Sequence, residues 1–277
     1  MSSAKFRKLA IGLMLAAFLM SDGLAASNVA VRYKEGVIHG FLALSTLEGD
    51  PLAEGDLTQV ARGNQLTTRV TFRFKDGSKQ DETTVSSQRD NLQLVSYHLV
   101  QEGPAFQQPT ELSIVAATGQ VTVRYTDDKG NKKVDAEHLK LPPDLANGLV
   151  VTFLKNVPPG APLPQLSMVV ATPKPRIVKL SIHSEGTEPF SVGGTSREAT
   201  HYVIKVDIGG VAGVVAPLVG KQPPDAHLWM IGGDVPAFVK SETLSYAGGP
   251  LWRMEILAPL WPKSATDQSK KTEGAKP

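Results

Sequence analysis

The chain contains no cysteine. Disulfides and a lipid-modified N-terminal cysteine are therefore excluded, and stability must come from an ordinary apolar core. Aromatic residues are sparse, at 6%. That low content, with a polar C-terminal segment, does not fit an outer-membrane barrel, whose strands carry aromatic girdles. Neither charge sign dominates: 29 basic residues face 27 acidic ones, a net +2. Nucleic-acid binding needs a concentrated basic surface, and no such concentration exists, so no nucleic-acid partner is expected. No apolar run reaches the roughly 20 residues that span a bilayer.

What the N-terminus does contain is a three-part export pattern. Lys5, Arg7 and Lys8 precede the uncharged run Leu9 to Met20, and Gly23, Ala25 and Ala26 supply small residues for cleavage. The pattern predicts a signal peptide over residues 1–25, a single domain over 26–262 and a polar, disordered tail over 263–277. The basic excess of the signal, with Asp22 counted, accounts for the whole net charge. The expected product is therefore formally neutral, periplasmic or secreted, and soluble once the signal is removed.

Inside the domain the dominant signal has period two. Val70, Phe72 and Phe74 alternate with Arg69, Thr71, Arg73 and Lys75, and Asp76-Gly77 follows as a hairpin signal. Thr83 and Val85 mark the return strand. Further strands are predicted at Leu92–Val100, Leu112–Ala116, Val121–Tyr125, Val178–Ile182, Tyr202–Ile208, Val211–Leu218, Trp229–Ile231, Phe238–Tyr246 and Trp252–Leu257. Alternation of this kind places one face on a core and one in water. Turn signals at Thr118-Gly119, Asp127–Gly130, Gly232-Gly233 and Gly248-Gly249 fit an antiparallel meander.

One segment departs from that period. Pro142-Pro143-Asp144 precedes an apolar stretch that Lys155-Asn156 and Val157-Pro158-Pro159 close. The pattern predicts a buried helix from Leu145 to Leu154, with Leu145, Leu149 and Phe153 along one stripe; the alternative is a strand at Leu149–Leu154, since Gly148 and Val150-Val151 weaken a helix. About ten strands at 4.8 Å spacing make a sheet roughly 48 Å wide, which a helix some 18 Å long cannot cover if the sheet is flat. The expected fold is mainly β: a large curved antiparallel sheet, half-barrel or sandwich, with one internal helix. A half-barrel leaves apolar space beside the helix; a sandwich does not.

Candidate chemistry is thin. The six histidines, at 39, 98, 138, 183, 201 and 227, lack a metal-ligand spacing, and no Gly-x-Ser-x-Gly or phosphate-loop element occurs. No cofactor, metal or catalytic residue is expected. His201, Lys205 and Asp207 share a strand face that reads as solvated. Asp81-Glu82 reads as exposed paired acids. Lys221, Asp225 and His227 form a polar loop around Pro223-Pro224 and are the candidates for a loop-borne site.

Four segments carry a resemblance: Phe72–Gly77, Leu141–Gly148, His201–Val206 and Gly248–Arg253. They resemble parts of uncharacterised exported bacterial β-domain proteins. In its order of elements the domain is similar to the LolA/LolB-like half-barrel carriers. That resemblance implies a curved sheet, an internal helix and a lipidic ligand. The leading expectation is a non-enzymatic periplasmic protein that binds an apolar or lipid ligand at Leu145, Leu149, Phe153, Phe72, Phe74 and Trp229. The alternatives are a structural or protein-interaction module without a small ligand, and a hydrolase or carbohydrate-active enzyme using Asp225, His227 or the His201 face.

Overall fold

The fold is that of a computed structural model, which describes residues 28–127, 129–192, 195–207, 223–233 and 235–257. The expected signal segment, the strand at Val211–Leu218, Lys221 and the polar tail lie outside the described residues.

The chain begins with a run of hairpins: β1 (Ile38–Thr46), β2 (Pro51–Arg62), β3 (Gln65–Phe74), β4 (Lys79–Gln88), β5 (Leu92–Glu102), β6 (Thr110–Val115), β7 (Gln120–Thr126) and β8 (Lys132–His138). The helix α1 (Val150–Asn156) follows. Six more strands follow among the described residues: β9 (Leu166–Val170), β10 (Arg176–Val192), β11 (Thr195–Asp207), β12 (Ala226–Ile231), β13 (Ala237–Leu244) and β14 (Leu251–Leu257). All pair antiparallel in one 14-stranded sheet, ordered β8-β7-β6-β5-β4-β3-β2-β1-β14-β13-β12-β11-β10-β9. Two meanders thus join where β1 pairs with β14, with Leu44 opposite Met254. The edges β8 and β9 do not pair with each other, so the sheet is open.

Laid flat, 14 strands would span about 67 Å at 4.8 Å each. The helix has seven residues, about 10 Å of length. The sheet resolves that mismatch by curling. Leu94, Ile114 and Val123 from one arm share a core cluster with Val178, Ile204 and Met230 from the other, and Leu149 and Phe153 lie between them. Bulges at Val85/Ser86, Ser184/Gly186 and Trp229/Met230 add the local bend that curvature needs. Of the two expected architectures, the observed one is a single sheet rolled around a plug, barrel-like and unclosed.

A second cluster fills the sheet near the β1–β14 junction. Leu42, Leu44, Ala53, Phe72, Phe74 and Trp252 form it, and Phe106, from the loop after β5, covers them. Phe74 lies 5.4 Å from Phe106 and 5.3 Å from Trp252, in tilted and edge-on geometries that the ring quadrupoles favour. The N-terminal arm runs past the C-terminal end of the helix. Both Arg32 and Tyr33 donate backbone N–H groups to Asn156 Oδ1, at 2.6 and 2.8 Å. Glu35 forms an ion pair with Lys155 and accepts from Gln59 at 3.2 Å.

The helix is shorter than its sequence predicts. The segment ahead of it is not helical and adds to the β9 edge: Leu145 bridges Ser167 in parallel, and the Ala146 N–H donates to the Ser167 carbonyl at 2.7 Å. Asn147 completes the pairing with its side chain, donating to the Val169 carbonyl and accepting from the Val169 N–H, each at 2.9 Å. Asp144 is not a helix cap; it is buried and paired with Lys179 at 3.2 Å. Gly148 then turns the chain at φ +68°, a conformation open to glycine and costly for other residues. Edge pairing thus wins over helix propensity in the first turn. The expected stripe survives, because Leu145, Leu149 and Phe153 are all buried in the core between the two arms.

Candidate functional site

Cross-strand register defines which side chains share the concave face. Opposite Leu57 on β2 stands Val70 on β3, then Glu82 on β4, Leu99 on β5 and Leu112 on β6. Gly40 on β1 precedes Leu57 in the same row. This row runs between the two apolar clusters. Leu112 is sealed, at 2% exposure. Leu57, Val70, Glu82 and Leu99 point inward yet keep part of their surface accessible, and Gly40 adds no side chain to the row. Leu57, Val70 and Met254 border the junction cluster, Leu99 borders the helix cluster, and Phe238 touches both. The row is a seam between two packed cores.

Glu82 is the polar feature of that seam. On β4 the inward positions are Gln80, Glu82, Thr84, Ser86 and Gln88, polar throughout, whereas Asp81 points outward and is held by Arg69. The sequence expectation of an exposed acidic pair at Asp81-Glu82 is therefore corrected: alternation sends the two carboxylates to opposite faces. Glu82 lies deep among protein atoms, and burial pushes its carboxyl up to about 7. It makes no hydrogen bond or ion pair among the described residues. Its neighbours are Thr84, the Gly148 turn against which Oε1 rests, and the buried Tyr97, whose phenol burial and the Glu82 charge both raise. A carboxylate held this way is either protonated or in want of a cation.

The other sequence candidates fall elsewhere. Leu145, Leu149 and Phe153 are packed into the helix cluster, and Phe72 and Phe74 belong to the junction cluster. Trp229 faces out of the sheet, on the side opposite Leu228 and Met230. These six residues do not meet at one place. Asp225 sits ahead of β12 and pairs with Lys205 at 3.7 Å.

His227 belongs to a convex-face cluster. His201 Nε2 and His227 Nδ1 are 2.9 Å apart, and His201 Nδ1 lies 3.0 Å from Glu188. The His201 ring stacks on Trp229 at 4.3 Å and 8°, and Trp229 Nε1–H donates to Glu188 at 2.9 Å. Lys240 Nζ stands 3.7 Å from the Trp229 ring centre, a cation–π contact. The face expected to be solvated is thus closed at His201, which is 8% exposed; its ring is spent on stacking. A carboxylate–imidazole–imidazole chain fixes ring orientation, but no hydroxyl among the described residues bonds to either imidazole. Nor do the described residues contain a metal-competent group of three or more His, Cys, Asp or Glu.

Two surface cavities are lined mostly by polar and charged residues. One, about 310 Å³, lies over β1–β4 and is lined by His39, Asp56, Arg69, Arg73, Lys79 and Asp81. Cross-strand ion pairs satisfy these charges, Arg73 with Asp56 at 2.9 Å among them. The other, about 570 Å³, lies at the turns around Arg62, Asn64 and Arg89. Neither touches Leu149 or Phe153. No described helix is long and apolar enough to cross a membrane.

The fold defines an unclosed, barrel-like antiparallel β protein plugged by one short helix. No family model matches the sequence, and no curated protein is significantly similar to it. Among solved structures, a beta-barrel-like protein of the domain of unknown function DUF1849 from Brucella abortus superposes with a TM-score of 0.44 at 8% identity, covering 82% of this chain and 100% of that one.

Proposed function

We propose that the protein is a non-enzymatic binding protein of the bacterial cell envelope that holds an amphiphilic ligand in the seam between its two apolar clusters. The observation that carries this reading is the row Gly40, Leu57, Val70, Glu82 and Leu99, which points into a curled sheet without being sealed. Apolar surface left accessible on a concave face is stabilised by an apolar occupant, at about 25 cal/mol for each Å² covered. The export pattern supports the envelope location, and the likeness to LolA/LolB-like carriers supports a lipidic ligand. The site differs from the helix stripe favoured by sequence, because Leu149 and Phe153 already have their partners.

A neutral apolar fluorophore, N-phenyl-1-naphthylamine, tests the reading. One saturable site is expected. Leu57→Trp, which fills the seam, should remove it, and Phe41→Ser on the convex face should not. Absence of a saturable site, or the opposite mutational pattern, contradicts the proposal. The filled-core interaction module stays as second reading, because both cavities described above lie away from the helix and are lined mostly by polar and charged residues.

A further inference from the structure

Glu82 determines which amphiphile the seam would accept; this inference rests on the binding reading above. Every element around the carboxylate contributes a neutral group. Its own strand offers Gln80 and Thr84, β3 offers Val70, and β5 offers Leu99 and the phenol of Tyr97. The segment before α1 offers the Gly148 backbone. Charges elsewhere in the interior are matched, Lys155 with Glu35 and Lys179 with Asp144. Glu82 alone of these three acids has no cation.

We propose that Glu82 selects a cationic headgroup, so that the seam binds an alkylammonium-type amphiphile with its ammonium at Glu82 and its chain along Val70 and Leu57 toward Gly40. The geometry meets both halves of such a molecule. The apolar row runs from Glu82 through Val70 on β3 and Leu57 on β2 to Gly40 on β1. A carboxylate with little water around it gains more from a bound cation than a solvated one does, since the same charge pair is screened less. An anionic headgroup would meet like charge, so a fatty acid is disfavoured at the same place. Raising the pH through the range where burial has shifted Glu82 ionises it and strengthens cation binding. Tyr97, whose phenol is raised well above its ordinary range, stays neutral throughout.

Isothermal titration at pH 8.5 with dodecylammonium, dodecanol and dodecanoate, each below its micelle concentration, separates headgroup from chain. Wild type should bind dodecylammonium at least tenfold more tightly than dodecanol, and dodecanoate most weakly. In Glu82→Gln the amine and the alcohol should bind within threefold of one another. In the wild-type complex, the Glu82 carboxyl carbon followed by NMR should titrate at lower pH than in the free protein, a readout independent of any variant. Dodecanol binding without preference for the amine, a preference that survives Glu82→Gln, or an unmoved Glu82 titration overturns the headgroup assignment and leaves the seam intact. Failure of all three ligands to bind overturns the seam as well.

Discussion

Replacing Glu82 by glutamine should stabilise the free protein above pH 7 and leave it unchanged near pH 4. In the folded state burial holds the Glu82 carboxyl at about 7, against 4.5 ordinarily. Below pH 4.5 it is protonated in both folded and unfolded chains and contributes no pH dependence. Between 4.5 and 7 the folded protein retains a proton that the unfolded chain has released, so stability falls as pH rises. Above 7 the loss is complete. Each pH unit corresponds to 1.36 kcal/mol, so the gap sets a ceiling of about 3 kcal/mol. Glu82 keeps partial contact with solvent, which screens the charge and brings the expected loss to about 2 kcal/mol. Glutamine has nearly the same shape and no charge to desolvate. Urea unfolding followed by far-ultraviolet circular dichroism, at pH 4 and pH 8.5, measures the effect as variant minus wild type, which cancels other titrating groups. The expected difference is near zero at pH 4 and about 2 kcal/mol in favour of the variant at pH 8.5. Equal differences at both pH values, or a variant less stable at pH 8.5, would refute the reasoning.

The helix plug makes two further predictions. Gly148→Ala should cost at least about 2 kcal/mol, because φ +68° disfavours a side chain and the new Cβ would collide with Thr84 Oγ1 and lie 2.9 Å from Glu82 Oε1; denaturant unfolding measures it, and a neutral result would mean that the turn relaxes freely. Phe153→Ala removes a ring with 0% exposure and should cost about 3–5 kcal/mol by opening a cavity between the arms; a loss under 1 kcal/mol would show that the helix does not plug the sheet.

The strands legible in the sequence were those with apolar residues on the inner face, such as β3 with Val70, Phe72 and Phe74. Strands β1, β2, β8 and β9 were not expected, the last three for separate physical reasons. On β2 an inward position is Gly55, because the Phe72 ring occupies the space where its Cβ would stand; the apolar signal there belongs to the neighbouring strand. Edge strand β8 leaves even Val134 exposed, so no burial period forms. Strand β9 is a short apolar run, for which periodicity does not decide between strand and helix. The helix stripe was legible, but its start was not, since edge pairing by Asn147 depends on β9 arriving alongside. The seam was illegible for the same kind of reason. An inward strand face made of Gln80, Glu82, Thr84, Ser86 and Gln88 reads as solvated until register places it inside.

Methyl NMR with dodecanol tests the binding seam most directly. The probe is neutral, so the outcome does not depend on Glu82 charge. The seam reading predicts saturable shifts centred on the Leu57, Val70 and Leu99 methyls, with the methyls of the convex-face residues Val60, Val95 and Val115 unmoved. Shifts confined to those convex-face methyls, or no shifts at any concentration below the micelle limit, would contradict it.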